Sequence, residues 1–162
     1  MTDLLWFVAH TRARCEKKLQ QFCLDRGVAV TLPCYQSVRK YPGKRVTFEK
    51  PLFPGYVFLQ LLPGQKQLVL QNEYLANLLT VSDQKTFAQQ IAEILGALNS
   101  GVPVFLAPEI GVGTRVRIKF GPLRGLEGWV EERYGRTTVL LRLDFIGQAA
   151  AVQLEVEDFE AL

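Results

Sequence analysis

Gly113-Thr-Arg-Val-Arg-Ile-Lys-Phe-Gly121-Pro-Leu-Arg-Gly125-Leu-Glu-Gly128-Trp-Val130 decides the fold of the C-terminal part of the chain. Val116, Ile118 and Phe120 recur every second residue, the period of a strand with one buried face. Glycines at 121, 125 and 128 then mark a tight loop. Positive φ or close backbone approach excludes a Cβ at such positions. Trp129–Tyr134, Thr137–Leu143 and Ala150–Val156 continue as strands, joined by Gly135-Arg136 and Phe145–Gln148. Four or five short strands in about 55 residues predict a small β-barrel, because so short a meander must close or expose its edges.

Upstream, Val102–Gly111 holds two prolines and little periodicity, which predicts a linker. Before it, Phe87, Ile91, Ile94, Leu95 and Leu98 share one face of a helix over Phe87–Leu98, with Ser82 or Asp83 as its cap. Leu75–Val81 reads as a strand and Gln65–Gln71 as a short helix. Phe53-Pro54-Gly55-Tyr56-Val57-Phe58 is a proline–glycine bend that launches a strong strand. Tyr56 and Phe58 fall on one of its faces, and Val57, Leu59 and Leu61 on the other. Either both faces are core, or Tyr56 and Phe58 line an apolar groove for a partner.

At the N-terminus, Leu4–His10 is an apolar strand. A helix over Ala13–Arg26 follows, with Cys15, Leu19, Phe22 and Cys23 as its buried stripe and Gly27 as its stop. Val28–Leu32 is a short strand. Ser37–Val46 is a hairpin about Pro42-Gly43 that carries Arg39, Lys40, Lys44 and Arg45.

Composition narrows the function. The chain has 162 residues, 48% hydrophobic and 22% charged, which fits a folded protein and excludes a disordered one. No apolar run approaches the ~20 residues of a membrane helix. The N-terminus lacks a basic start and a cleavage site, so a cytoplasmic protein is expected. Three cysteines without a C-x-x-C and a single histidine give no disulfide framework and no metal site. No nucleophile, acid–base pair or phosphate loop has its motif context, so binding and not catalysis is expected, with no cofactor. Residues 1–100 carry 12 Lys and Arg against 7 Asp and Glu, while residues 101–162 carry 7 against 9. A basic front and a mildly acidic back suggest two domains with different partners.

The glycine-spaced loop resembles the KOW motif. Together with Phe53-Pro-Gly-Tyr56 and the opening Trp6-Phe-Val-Ala-His10, it makes nearly the whole chain resemble the NusG family of transcription elongation factors, including its specialised RfaH-like paralogues. The resemblance implies an α+β protein. Its N-terminal domain over residues 1–100 would be an antiparallel sheet flanked by helices, followed by a linker over 101–109 and a KOW barrel over 110–162. It implies a monomer that binds the clamp helices of the RNA polymerase β′ subunit through Phe53, Tyr56 and Phe58 and suppresses pausing. Basic residues near the first helix, Arg12, Arg14 and Lys18, would meet non-template DNA, with His10 as a stacking partner. The barrel would recruit the ribosomal protein NusE or the termination factor Rho through Leu123, Leu126, Phe145 and Ile146, unless two of these cap the barrel core.

Length leans towards a specialised paralogue. Period-two β-branching and the glycines favour a barrel over the helical form that one paralogue adopts. The rival expectation is a ribosome-associated or RNA-binding KOW protein. It leaves the aromatic bend and the acidic barrel unexplained.

Overall fold

The computed structural model describes residues 4–107, 114–133, 136–154 and 158–162. The expected linker end at 108–109, the barrel start at 110, glycines 111 and 113, the turn at Gly135 and the last expected strand residue, Val156, lie outside them. The chain divides into two compact units, residues 1–33 with 53–86 and residues 34–52 with 87–162.

In the first unit, strands β1 (Leu5–Thr11), β2 (Ala29–Thr31), β5 (Tyr56–Leu61) and β6 (Leu75–Thr80) form an antiparallel sheet in the order β2-β5-β1-β6. Helix α1 (Glu16–Asp25) buries Leu19 and Cys23, four residues apart on one face. They join Phe7, Ala9, Val57, Leu59, Leu61 and Val69 in one core cluster, Val69 coming from the short α2 (Lys66–Leu70). Cys15 and Phe22, expected on the same stripe, are only half-buried. Burial pushes the Cys23 thiol up to about 11, which makes it an inert core group, with Arg26 pulling weakly the other way.

Helix α3 (Gln84–Asn99) starts three residues before the expected Phe87, directly after Asp83, one of the two expected caps. The Asp83 carboxylate accepts the Thr86 N–H at 3.0 Å. Gln84 ties the start of the helix to β1. It accepts the Trp6 N–H at 2.6 Å and donates to the Trp6 carbonyl at 2.9 Å. Along α3 the buried residues are Phe87, Ile91, Ile94 and Ala97, while Leu95 and Leu98 are half-buried.

The second unit contains a two-stranded hairpin, β3 (Cys34–Tyr41) with β4 (Lys44–Pro51), longer than the sequence suggested. It also contains a six-stranded antiparallel sheet built from β7 (Val104–Ala107), β8 (Thr114–Ile118), β9 (Glu127–Arg133), β10 (Arg136–Leu143), β11 (Gln148–Gln153) and β12 (Phe159–Ala161). Its order is β12-β8-β9-β10-β11-β7. The described part of the segment expected to prefer strand over helix, Thr114–Leu143, is strand apart from its turns. One correction concerns the linker: Val104–Ala107 pairs with β11, Ala107 opposite Ala149 and Val104 opposite Val152. Val104 and Ala107 are buried, and that burial holds a four-residue strand between two prolines.

Gly128 shows why the loop motif needs glycine. A Cβ there would lie 2.6 Å from the Leu140 carbonyl oxygen and 2.6 Å from Val139 Cγ1 on the neighbouring strand. The loop before it closes through backbone bonds, Gly125 N–H to the Ile118 carbonyl and Ile118 N–H to the Leu126 carbonyl, both at 2.9 Å. Glu127 accepts from Arg117 at 3.0 Å and Arg115 at 2.6 Å, and these bonds hold its carboxyl below the usual range.

Candidate functional site

The bend before β5 is a tight turn. The Tyr56 N–H donates to the Phe53 carbonyl at 3.1 Å, with Pro54 and Gly55 at the two central positions. Gly55 has φ +86°. Proline first and a positive-φ glycine second is the arrangement of a type II turn. Two further bonds lock it: the Thr11 N–H reaches the Gly55 carbonyl at 2.8 Å, and the Gly55 N–H reaches Glu16 Oε2 at 3.2 Å. The turn is thus clamped between the end of β1 and the first turn of α1.

Tyr56 then begins β5 directly opposite His10 of β1. Opposite residues of an antiparallel pair share a face. The two rings lie 5.2 Å apart, tilted by 32°. Tyr56 is half-buried and His10 exposed. Together they form a small aromatic platform at the end of the two inner strands.

Phe53 and Phe58, expected beside Tyr56 on a groove, are buried, at 1% and 0% exposure. Phe58 sits opposite Val8 in the ladder, itself 0% exposed, and Phe53 meets Phe58 edge-on at 6.1 Å. Over residues 57–59 both faces of β5 are therefore interior. The two phenylalanines support the turn from beneath and give no surface in this structure.

Arg12, Arg14 and Lys18 are all exposed. The Arg12 Nε donates to the Glu73 carbonyl at 2.9 Å and its backbone N–H to the Tyr74 carbonyl at 2.9 Å. The Lys18 ammonium lies 5.8 Å from the centre of the Tyr74 ring. Arg14 has φ +61° in the connection to α1. The 73–74 turn thus gathers Arg12 and Lys18, while Tyr56 gathers His10. Sequence reasoning missed Glu16 and Tyr74. The one local signal was Asn72, whose side chain accepts the Tyr74 N–H at 2.7 Å and shapes that turn.

In the second unit, Leu123 is buried at 3% exposure and belongs to the interior, the bland alternative of the two expected for it. Leu126 and Ile146 are half-buried, and Phe145 is 36% exposed. The Phe145 ring stands edge-on to Phe87 at 6.1 Å. Beside it Gln90 and Asp144 exchange two hydrogen bonds. Gln90 Nε2 donates to Asp144 Oδ2 at 2.8 Å, and the Asp144 N–H donates to Gln90 Oε1 at 3.0 Å. The Phe145 turn is thereby fixed against α3.

Among the described residues, no group of three or more His, Cys, Asp or Glu could hold a metal ion, and no helix is long and apolar enough to cross a membrane. Residues 4–107 match the family model described as "Transcription termination factor nusG". The transcription termination/antitermination protein NusG of Borreliella burgdorferi is 24% identical over 182 residues, covering 97% of this chain and 98% of its own. The protein of the same name from Lactococcus lactis subsp. lactis is 27% identical over 174 residues, covering 98% and 93%. Among solved structures, an MjSpt4:Spt5 complex in conformation B aligns over 98% of this chain and 97% of the other, at 16% identity and a TM-score of 0.32.

Proposed function

The chain belongs to the NusG family of transcription factors, and on that premise we propose that it binds RNA polymerase through the surface centred on Tyr56. Like the family, it is a transcription termination/antitermination factor and works by binding, with no catalytic step of its own. The observation that carries the proposal is the Tyr56–His10 platform, set on a turn clamped by β1 and α1. An aromatic held rigidly at the end of a strand pair offers large contact area at small entropy cost.

The partner surface is the pair of clamp helices of the polymerase β′ subunit. A factor that binds the closed clamp more tightly than the open one shifts the balance towards closed, and so shortens pauses. Phe53 and Phe58 hold Tyr56 in place, and direct contact through them requires a rearrangement that uncovers them. His10, Arg12, Arg14 and Lys18 lie on the same unit and face non-template DNA. Leu126, Phe145 and Ile146 are the second unit's contacts for NusE or Rho, and Leu123 supports them from the interior.

An in vitro transcription assay tests the reading. The wild-type chain shortens RNA polymerase pauses, and Tyr56→Ala removes the effect while the protein still melts cooperatively. Loss of a central aromatic anchor costs about 2 kcal/mol or more, roughly thirtyfold in affinity. Full pause suppression by Tyr56→Ala would overturn the assignment. Neutralising Arg12, Arg14 and Lys18 should flatten the salt dependence of binding to an elongation complex by about 0.7 per single-strand phosphate contact.

A further inference from the structure

The Tyr56–His10 platform has a third neighbour, Asn77 of β6. Register sets the rows of the sheet. Phe58 of β5, Val8 of β1 and Leu79 of β6 stand side by side across three strands, and Tyr56, His10 and Asn77 do the same two residues further on. Opposed residues of an antiparallel pair share a face, and so do residues two apart along one strand. All six therefore lie on one face. In the first row Phe58 and Val8 are fully buried and Leu79 is half-buried. In the second Tyr56 is half-buried, while His10 and Asn77 are exposed. The face thus opens at the Tyr56–His10–Asn77 row, which is about 10 Å wide at ~4.8 Å between strands.

Asn77 departs from the local rules of a strand in two ways. Asparagine is depleted in strands, because its amide competes for the backbone, yet it stands among the three leucines of Leu75–Thr80. Among the described residues its amide has no hydrogen-bond partner. The ladder is also irregular beside it. His10 is opposite Asn77 but Thr11 is opposite Leu75, so Ala76 is an extra residue on β6, a β-bulge. Bulges are concentrated at sheet edges and beside functional sites, where they re-aim neighbouring side chains. β6 is the outer strand of the sheet, and the bulge ends its regular pairing at Asn77. A residue that only filled a solvated edge would be better served by valine or threonine. Departures from local preference are expected where a residue serves function.

We propose that Asn77 is the polar member of the polymerase-binding row. Its amide takes a hydrogen-bonding side chain of the polymerase surface, while the Tyr56 and His10 rings take an apolar one. The role rests on the reading that Tyr56 centres the polymerase contact. Rings supply contact area with little direction. An amide, with two N–H donors and an acceptor oxygen, fixes how the partner lies across the row. Once the interface closes, the partner group facing Asn77 is out of water, so removing the amide leaves that group unpaired.

The test is an equilibrium titration of the labelled full-length chain against core RNA polymerase free of nucleic acid. Asn77→Val suits the strand better than asparagine and has no polar side-chain atom. It should melt at or above the wild-type temperature and yet bind about fivefold more weakly, or worse. Thr80→Val is the control. Thr80 is exposed on the same strand but shares the face of Phe7, and its variant should bind as wild type does. Tyr56→Ala, measured alongside, separates the two claims. Wild-type affinity in Tyr56→Ala removes the polymerase reading and the role of Asn77 with it. A loss in Tyr56→Ala with wild-type affinity in Asn77→Val removes the role of Asn77 alone. Three further results would overturn that role. A lower melting temperature in Asn77→Val together with weaker binding would assign the residue to the fold. An equal loss in Thr80→Val would mean that binding needs the strand edge at large. A loss seen only with an elongation complex carrying non-template DNA would mean that the amide meets nucleic acid.

Discussion

Two antiparallel strand pairs in this chain are built alike and used oppositely. β1 and β5 pair over six residues, and Val8, Ala9, Val57, Phe58 and Leu59 between them are wholly buried. β3 and β4 pair over eight, and most of their residues are exposed. Both pairs alternate with period two. What the faces carry differs: apolar side chains on both faces of the first pair, aromatics and cations together on one face of the second. A ladder therefore does not by itself say whether a strand pair is scaffold or exposed surface. In the first pair only the ends reach solvent, at Leu5 on one side and at His10 and half-buried Tyr56 on the other. In the second nearly the whole face does.

The difference predicts a hierarchy of effects. Leu59→Ala, in β5 at 0% exposure, should cost about 2–5 kcal/mol by denaturant melting, through lost burial and the cavity left behind. A cost near zero would show that the β1–β5 pair is not the scaffold.

The two turns come next, since Gly55 and Gly43 have φ of +86° and +77°. Alanine in that region costs roughly 1–2 kcal/mol. At Gly55 the loss should appear in the global melt, because the turn is tied to Thr11 and Glu16. A Cβ there would meet the His10 ring at 3.6 Å, an ordinary contact, so the loss comes from the backbone conformation. At Gly43 no atom lies within 4 Å, and the loss should appear only as faster amide exchange in the hairpin. Equal global destabilisation by both would erase the distinction.

Acid probes the first pair more gently, through the α3 cap whose neighbour Gln84 holds β1. The backbone N–H of Thr86 keeps the Asp83 carboxyl below its ordinary value of 3.8, helped by the Thr86 side chain and Lys85. The unfolded chain thus binds a proton at Asp83 more readily than the folded one. The cap's contribution is full above pH 3.8 and fades as pH falls through the lower folded value. The melting temperature of Asp83→Ala should lie below wild type at neutral pH and converge with it in acid. A constant gap down to the lowest pH would contradict this.

Smallest of all, Val38→Thr on the exposed hairpin should move stability by less than about 0.5 kcal/mol. A larger change would mean that the hairpin is packed.

Much of this was legible in the residues, and the losses have physical causes. Pro54-Gly55 announced its turn, Ser82-Asp83 the cap and Val116-x-Ile118 its strand, because each signal is local. Val104–Ala107 was hidden, since its partner strand β11 lies far along the chain and two prolines bracket it. The hairpin extended beyond Ser37–Val46 because pairing, not composition, carries Cys34–Gln36 and Thr47–Pro51. At the site, Tyr56 was visible in its motif. Its pairing with His10 is a matter of register, which alternation alone does not set. The burial of Phe53 and Phe58 is likewise tertiary: period two put Phe58 on the face of Tyr56, but not whether that face stays open one step further along.

The most direct test is an equilibrium titration of the labelled full-length chain against core RNA polymerase free of nucleic acid, with three proteins side by side. The account predicts that Tyr56→Ala binds roughly thirtyfold more weakly than wild type with its melting temperature unchanged, by loss of a central aromatic anchor. It predicts that Tyr41→Ser/Phe48→Ser binds as wild type does. Wild-type affinity in Tyr56→Ala, or a loss confined to the hairpin variant, would contradict the claim that the end of the buried strand pair is the polymerase surface.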